Sequence, residues 1–193
     1  MEKRALVISP IAPYVVKPAH MAEPDDEGWY GQIVEILEEA EDGFYRIRTP
    51  YRYETYVHAT HLCLDEAEAE RWEKADLRRV WAAWADVQVE SGATHPHHIS
   101  LCRGAVVEFV APPEKPQGWA KVRLIGGAEG FVREGFLGPY YENEPSAGEE
   151  ELRNSVVEAA KLYMGVQYRW GGKTPQGIDC SGLASMAYLL NGV

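Results

Sequence analysis

The sequence has no long hydrophobic run and few cysteines. Its first ten residues include a single four-residue apolar run, from Ala5 to Ile8, which is too short for a secretory signal. No stretch approaches the length of a membrane helix. The three cysteines are widely spaced and odd in number, so neither a disulfide framework nor a Cys-x-x-Cys metal pair is indicated. We therefore expect a cytoplasmic protein. The alternative is a secreted or cell-wall associated protein, if the true N-terminus carries a signal peptide.

Positive charge is also scarce. Lys and Arg number 19 against 30 Asp and Glu, which gives a net charge of −11. This balance argues against nucleic acid or an anionic membrane as a partner, although a local basic face remains compatible with it. The 46% hydrophobic and 25% charged residues are typical of an ordinary globular chain. The length of 193 residues allows one to three small domains.

The most informative stretch lies near the end of the chain, from Tyr168 to Val193. Its first half is rich in glycine and proline and predicts an irregular loop. Its second half has apolar residues at helical spacing and predicts a helix. Cys180 therefore lies where a loop enters a helix. Unpaired backbone N–H groups and the helix dipole favour a thiolate at such a position, and they can also hold the oxyanion of a tetrahedral intermediate.

This stretch also resembles a known family. The pattern Tyr-x-Trp-Gly-Gly, followed by Pro-x-Gly-x-Asp-Cys-Ser-Gly-Leu, spans Tyr168 to Leu183. It resembles the signature of the NlpC-type cysteine peptidases, papain-like enzymes that cut bacterial cell-wall peptides. The resemblance implies that Cys180 is the nucleophile, that Tyr168 assists the oxyanion hole through its hydroxyl, and that Asp179 and Ser181 line the substrate groove. It implies no cofactor and no metal. The structural alternative is a buried, inert cysteine in a helix-start turn.

The histidines do not follow the pattern of that family, in which the catalytic His lies downstream of the Cys. All six precede Cys180: His20, His58, His61, His95, His97 and His98. We therefore expect residues 145–193 to be the N-terminal part of a papain-like domain, and the 193-residue chain to be inactive by itself. The tract from His95 to His98 could bind a metal, but a polar loop tip is favoured. For His58 and His61, the end of a strand is favoured over a shared site.

The rest of the chain predicts two small β-barrels, at residues 4–64 and 80–140. Short alternating strands and frequent turns indicate this architecture, and Gly43–Ile47 is weakly similar to Gly118–Val122, which suggests two copies of one module. Both segments resemble bacterial SH3-like domains. In the first, Thr55 and Tyr56 replace the Gly and Trp of the usual Tyr-x-Gly-Trp-Val motif. The predicted fold class is mostly β with a C-terminal α+β part.

Finer expectations concern the connecting segments. The prolines after Ile8 predict a long loop up to about Gly28. The Ala-, Glu- and Arg-rich residues 65–79 predict a linker helix that serves as a solvated connector without function. Residues 80–89 are predicted as a strand and residues 91–100 as a loop. A helix with a capping box at Ser146 and Glu149 is predicted to reach Met164.

Resemblance to relatives with two SH3-like domains also implies the substrate. In those relatives a Tyr and an acidic residue of the first domain recognise the free amino terminus of L-Ala. The matching residues here are Tyr53 and Glu23, with Glu27 as runner-up. The implied function is a monomeric endopeptidase of murein peptide recycling that hydrolyses the γ-D-glutamyl-L-diamino acid bond. The alternatives are a non-catalytic protein that binds cell-wall peptides, and an acyltransferase or amidase on the same scaffold.

Overall fold

The structure is a computed structural model that describes residues 3–92, 96–115, 118–140 and 148–193. Its first unit is a seven-stranded antiparallel sheet with the order β3-β2-β6-β5-β4-β1-β7. The strands are β1 (Lys3–Val7), β2 (Ile11–Val15), β3 (Pro24–Trp29), β4 (Ile33–Glu39), β5 (Phe44–Arg48), β6 (Glu54–His58) and β7 (Leu62–Cys63). The long loop predicted before Gly28 is therefore wrong, because two strands occupy much of it. Pro13 is tolerated in β2 because proline can stand where the strand needs no N–H donor at that position.

A second seven-stranded antiparallel sheet repeats the order of the first, as β10-β9-β13-β12-β11-β8-β14. Each strand occupies the place of the strand seven positions earlier in the chain. The strands are β8 (Leu77–Val80), β9 (Trp84–Gln88), β10 (His97–Cys102), β11 (Val106–Ala111), β12 (Trp119–Arg123), β13 (Glu129–Arg133) and β14 (Leu137–Pro139). This shared topology agrees with the internal repeat that the sequence indicates. Among the described residues the strand pairing leaves two edges in each sheet, so neither sheet closes into a barrel by pairing alone. The SH3-like assignment stays a prediction.

Two expectations for the second sheet were wrong in their limits. The strand predicted over residues 80–89 is two elements, since β8 ends at Val80 and β9 begins at Trp84. The loop predicted over residues 91–100 gives way to β10 at His97. Its first two residues, His97 and His98, are exposed on an edge strand, so the strand lacks the apolar alternation that would reveal it in the sequence.

Helix α1 (Glu66–Glu73) joins the sheets, and Asp65 caps it by accepting from the N–H groups of Ala67 and Glu68. The predicted linker helix over residues 65–79 is too long, because β8 begins at Leu77. The prediction of a solvated connector is also wrong. Trp72 is fully buried, and its indole N–H donates to the carbonyl of Gly31 over 3.2 Å. The helix therefore packs into the core shared by both sheets.

The C-terminal part contains α2 (Glu149–Lys161), the short pair β15 (Lys173–Thr174) and β16 (Gly177–Ile178), and α3 (Cys180–Leu189). Helix α2 ends three residues before the predicted Met164. Its N-cap is Gly148, with no side-chain hydrogen bond. The predicted cap Ser146 lies outside the described residues, as do residues 145 and 147 of the predicted domain.

Both C-terminal helices contribute to a hydrophobic cluster that also contains residues of both sheets. The cluster contains Trp29 of β3, Cys102 of β10, Tyr163 after α2 and Met186 of α3. The guanidinium of Arg103 strengthens this junction, because it donates to the carbonyl of Leu162 over 2.9 Å and stacks on Tyr163. The sheets thus form the platform on which the loop before α3 is positioned. No helix in the described part of the chain is long and apolar enough to cross a membrane.

Candidate active site

Cys180 is the first residue of α3, and it is exposed and unpaired. The preceding residue, Asp179, is the N-cap. Its Oδ1 accepts from the N–H of Gly182 and from the Ser181 hydroxyl, each over 2.7 Å, and its Oδ2 accepts from the N–H of Gly171 over 2.9 Å. One carboxylate therefore fixes both the helix start and the glycine loop, with Cys180 between them.

The same contacts explain the ionisation of Asp179. Burial alone would raise its pKa, but the hydrogen bonds from Gly182, Ser181 and Gly171 outweigh burial and hold the pKa below its ordinary value. The charge stays in place at neutral pH and complements the helix dipole. Both oxygens are occupied by internal donors, so Asp179 acts here as a positioning group. Its contact with substrate stays a prediction.

Small residues are required around the nucleophile. A Cβ at Gly182 would lie 2.2 Å from the carbonyl oxygen of Gly172, so only glycine lets the helix approach the loop this closely. Gly171 has φ +70°, a backbone conformation that favours glycine. These two positions give a physical reason for the glycines of the motif.

The structure brings Tyr168 beside the same turn through its backbone. Tyr168 forms a parallel bridge with Ile178, two residues before Cys180. Its side chain is 67% exposed, so the hydroxyl is available to a bound molecule. Ser181 is also exposed, and its hydroxyl donates to Asp179. The catalytic role predicted for Tyr168 and the groove-lining role predicted for Ser181 stay predictions.

An acidic segment of β3 holds the loop against the first sheet. The ammonium of Lys173 donates to Asp26 Oδ2 over 2.8 Å, and both side chains are less than one-tenth exposed. The Tyr51 hydroxyl donates to the same oxygen over 2.6 Å, and the ammonium of Lys173 lies 4.0 Å from the centre of the Tyr51 ring. The buried pair of Lys173 and Asp26 was not anticipated from the sequence.

The neighbouring Glu27 is occupied in the same way. Its Oε2 accepts from the backbone N–H of Lys173 over 2.9 Å. Its Oε1 lies 3.1 Å from the guanidinium of Arg169, at ion-pair distance but without hydrogen-bond geometry. The two opposite charges attract at this distance whatever their angle, so Arg169 is the partner of this oxygen. Glu27, the runner-up for amine recognition, is thus buried and bound to the loop.

Tyr53 is paired with a different carboxylate from the one predicted. Its hydroxyl donates to Asp25 Oδ1 over 2.6 Å, and this hydrogen bond raises the pKa of Tyr53 to about 12. The backbone of Asp25 lies against the glycine loop before Cys180, within 3.3 Å of the place where a Cβ on Gly171 would stand. Glu23 is exposed just before β3, and the structure does not bring it to Tyr53. Its predicted role stays a prediction.

None of the described histidines is hydrogen-bonded to Cys180. His58 bonds to Thr60, and His61 bonds to Ser9 over 2.7 Å. Burial, together with the nearby His58, lowers the pKa of His61. His97 and His98 lie on β10, and His95 falls outside the described residues. No group of three potential metal ligands occurs in the described part of the chain.

Comparison with known proteins gives matches to a protein family and to several individual proteins. The model of the NlpC/P60 family matches residues 165–193. Dipeptidyl-peptidase 6 of Lysinibacillus sphaericus is 38% identical over 190 residues, which cover 98% of this chain and 70% of that protein. The chain belongs to the NlpC/P60 family. A probable endopeptidase of Mycobacterium bovis is also similar, with 38% identity over 55 residues, or 28% of this chain and 14% of that protein.

The NlpC/P60 assignment agrees with the fold. A crystal structure of an NlpC/P60 family protein from Bacillus cereus superposes with a TM-score of 0.77 at 13% identity. The match covers 98% of this chain and 73% of that protein. At this low identity the likeness concerns the fold alone. It extends over both sheets as well as the segment around Cys180.

Proposed function

We propose that this NlpC/P60 chain provides the nucleophile and the amine-recognition site of a cysteine endopeptidase. Its substrate would be a murein peptide with a free N-terminal L-Ala, cut between γ-D-glutamate and an L-diamino acid. Family membership supports a cell-wall peptidase of the cysteine type. The observation that carries the proposal is the exposed Cys180 at the first position of α3, with the turn around it fixed by Asp179.

The helix start suits acyl transfer to sulfur. The N–H of Cys180 has no acceptor among the described residues, as expected for the first residue of a helix. The thiolate attacks the γ-carbonyl carbon, and the oxyanion accepts from this N–H and from the Tyr168 hydroxyl. Collapse of the intermediate breaks the C–N bond, and the departing amine takes from the base the proton that the base had removed from the Cys180 thiol. Water then hydrolyses the thioester. The base is a histidine that the family resemblance places after the nucleophile.

Recognition of the free amine is assigned to Tyr53 and Asp25. The Tyr53 hydroxyl occupies Oδ1 of Asp25, so Oδ2 is available to an ammonium group. The other two carboxylates of β3, those of Asp26 and Glu27, are already paired with Lys173 and Arg169. A partly buried ammonium needs a carboxylate partner to offset its desolvation. Glu23 is the nearby exposed carboxylate that competes for this role.

The amine requirement is tested with the full-length protein and two peptides, L-Ala-γ-D-Glu-diaminopimelate and its N-acetylated form. We expect the free peptide to be cleaved and the acetylated peptide to be cleaved far more slowly. Asp25→Asn should lower kcat/KM for the free peptide by about 10- to 150-fold, the value of a charge-assisted hydrogen bond.

The matched control is Glu23→Gln, which removes an equal charge two residues away. A loss with Glu23→Gln and none with Asp25→Asn would return the role to Glu23. Equal cleavage of the free and acetylated peptides would refute amine recognition while leaving the peptidase assignment intact.

A further inference from the structure

A cavity of about 610 Å³ lies between the two sheets, near the C-terminal end of α3. Strands β1, β4 and β5 of the first sheet, strands β8 and β11 of the second, and Leu189 of α3 contribute to its wall. Cys180, Tyr168 and Tyr53 are not among its lining residues. The proposed peptidase chemistry therefore leaves this cavity unexplained.

Arg79 of β8 lines this cavity as a buried cation. It is 5% exposed, and one of its terminal nitrogens donates to the carbonyl of Gly104 over 2.8 Å. Its guanidinium stacks on Tyr140 at 5.1 Å. Burial lowers the pKa of Arg79 to about 10. Within the described ranges no carboxylate forms an ion pair with it, and its Nε–H has no hydrogen-bond partner. A buried charge in this condition is costly unless something compensates it.

A second lining residue of the same cavity, Gln32, carries an unpartnered donor. Gln32 is 4% exposed, and its Oε1 accepts from the Tyr14 hydroxyl over 2.7 Å. That bond directs the amide nitrogen away from Tyr14, and Nε2 has no partner. Buried polar groups are nearly always satisfied. Arg79 and Gln32 thus each carry a buried donor without a protein acceptor at one cavity, and a bound anion would supply acceptors to both.

The charge of the cavity wall also favours an anionic ligand. Arg48 forms an ion pair with Glu35 over 2.8 Å, and Arg4 forms one with Glu73 over 2.6 Å. The positive and negative charges therefore cancel within each pair. The remaining charged lining residues are two arginines, Arg52 and Arg79. A cavity with net positive charge is notable in a chain of net charge −11, because it concentrates anions locally.

We propose that this inter-sheet cavity binds a small oxyanion, a phosphate or carboxylate group, held by Arg79 Nε–H and Gln32 Nε2–H. A planar guanidinium is suited to such groups because its N–H donors match the geometry of two oxygens. The bound anion would tie the first sheet to the second, since Gln32 lies between β3 and β4 of the first sheet and Arg79 lies on β8 of the second.

The test measures the melting temperature of the full chain during titration with sodium phosphate or sodium succinate. Sodium chloride at equal ionic strength is the reference. A ligand that binds only the folded state raises the melting temperature in a saturable way. We expect saturation with at least one of the two anions. The anion that saturates at the lower concentration shows whether the cavity prefers a phosphate or a carboxylate group. A rise with phosphate and succinate that is linear and unsaturated would overturn the proposal, because it indicates general salting effects.

Two variants of adjacent residues sharpen the test. Arg79→Lys keeps the charge but removes the planar guanidinium. We expect this variant to need at least a tenfold higher anion concentration for the same rise in melting temperature. Arg78→Lys, on the same strand but paired with Asp76 outside the cavity wall, should respond as the wild type does. Equal responses of both variants would contradict the site.

A measurement on the wild type covers the case in which Arg79→Lys does not fold. The Nε–H resonance of Arg79 in an NMR spectrum should shift on addition of the anion that saturates. Gln32→Glu, which keeps an acceptor for Tyr14 but places a negative charge in the cavity, should abolish the shift. An unmoved Arg79 resonance would refute the proposal.

Discussion

Replacing Lys173 with methionine should destabilise the protein strongly, because it leaves the buried carboxylate of Asp26 without its cation. The two side chains are 8% and 7% exposed and 2.8 Å apart. After the change, Asp26 would retain the Tyr51 hydroxyl and the N–H of Glu27 as donors. Breaking a buried pair from one side costs about 3–5 kcal/mol. For a chain of this size that corresponds to a fall of about 6–20 °C in melting temperature.

Urea unfolding followed by circular dichroism gives the free energy of unfolding for the test. The double variant Lys173→Met with Asp26→Asn should lose much less than the sum of the two single variants, because it removes the unpaired charge. The control is Lys121→Met, which breaks an exposed pair with Glu129 and should leave the free energy nearly unchanged. A loss below about 1 kcal/mol for Lys173→Met would refute the reasoning, as would a loss equal to that of the control.

Three further predictions test other parts of the structure. Trp72→Ala should cost about 3–5 kcal/mol in urea unfolding, because the side chain is fully buried, whereas a solvated connector would tolerate the change. The lowered pKa of Asp179 means that its contribution to stability is present above the ordinary value of 3.8 and is lost as pH falls through the folded-state pKa; Asp179→Asn should remove that part of the acid dependence, and an unchanged profile would contradict it. Iodoacetamide should modify the exposed Cys180 first and spare Cys102, whose burial raises its pKa to about 12; peptide mapping in which Cys102 reacts as fast as Cys180 would contradict the structure.

The turn around Cys180 was predictable because its determinants are local. The glycines, Asp179 and Cys180 lie within a dozen residues. Their residue types alone indicate a glycine-rich loop, a helix cap and a cysteine at the helix start. The prediction that α1 is a solvated connector was wrong. The segment is mostly charged, and this composition gave no sign that Trp72 is buried. What a residue contacts across the molecule does not show in the composition of its own segment.

The contacts that assemble the candidate site are non-local and were missed. Asp25 meets Tyr53 across 28 positions, and Asp26 meets Lys173 across 147. The one available signal was the acidic run that includes Glu27, since consecutive carboxylates are unusual in a strand unless they are paired. The identity of their partners depends on how the C-terminal loop packs on β3, and no local pattern encodes that.

Cleavage of L-Ala-γ-D-Glu-diaminopimelate by the full-length protein, wild type and Cys180→Ala, tests the central claim most directly. Mass spectrometry identifies the products. The account predicts release of L-Ala-γ-D-Glu by the wild type and none by the variant, with the fold of the variant unchanged by circular dichroism. Cleavage by a folded Cys180→Ala protein at the wild-type rate would contradict the assignment of the nucleophile. A wild type that binds the peptide without cutting it would contradict the peptidase proposal.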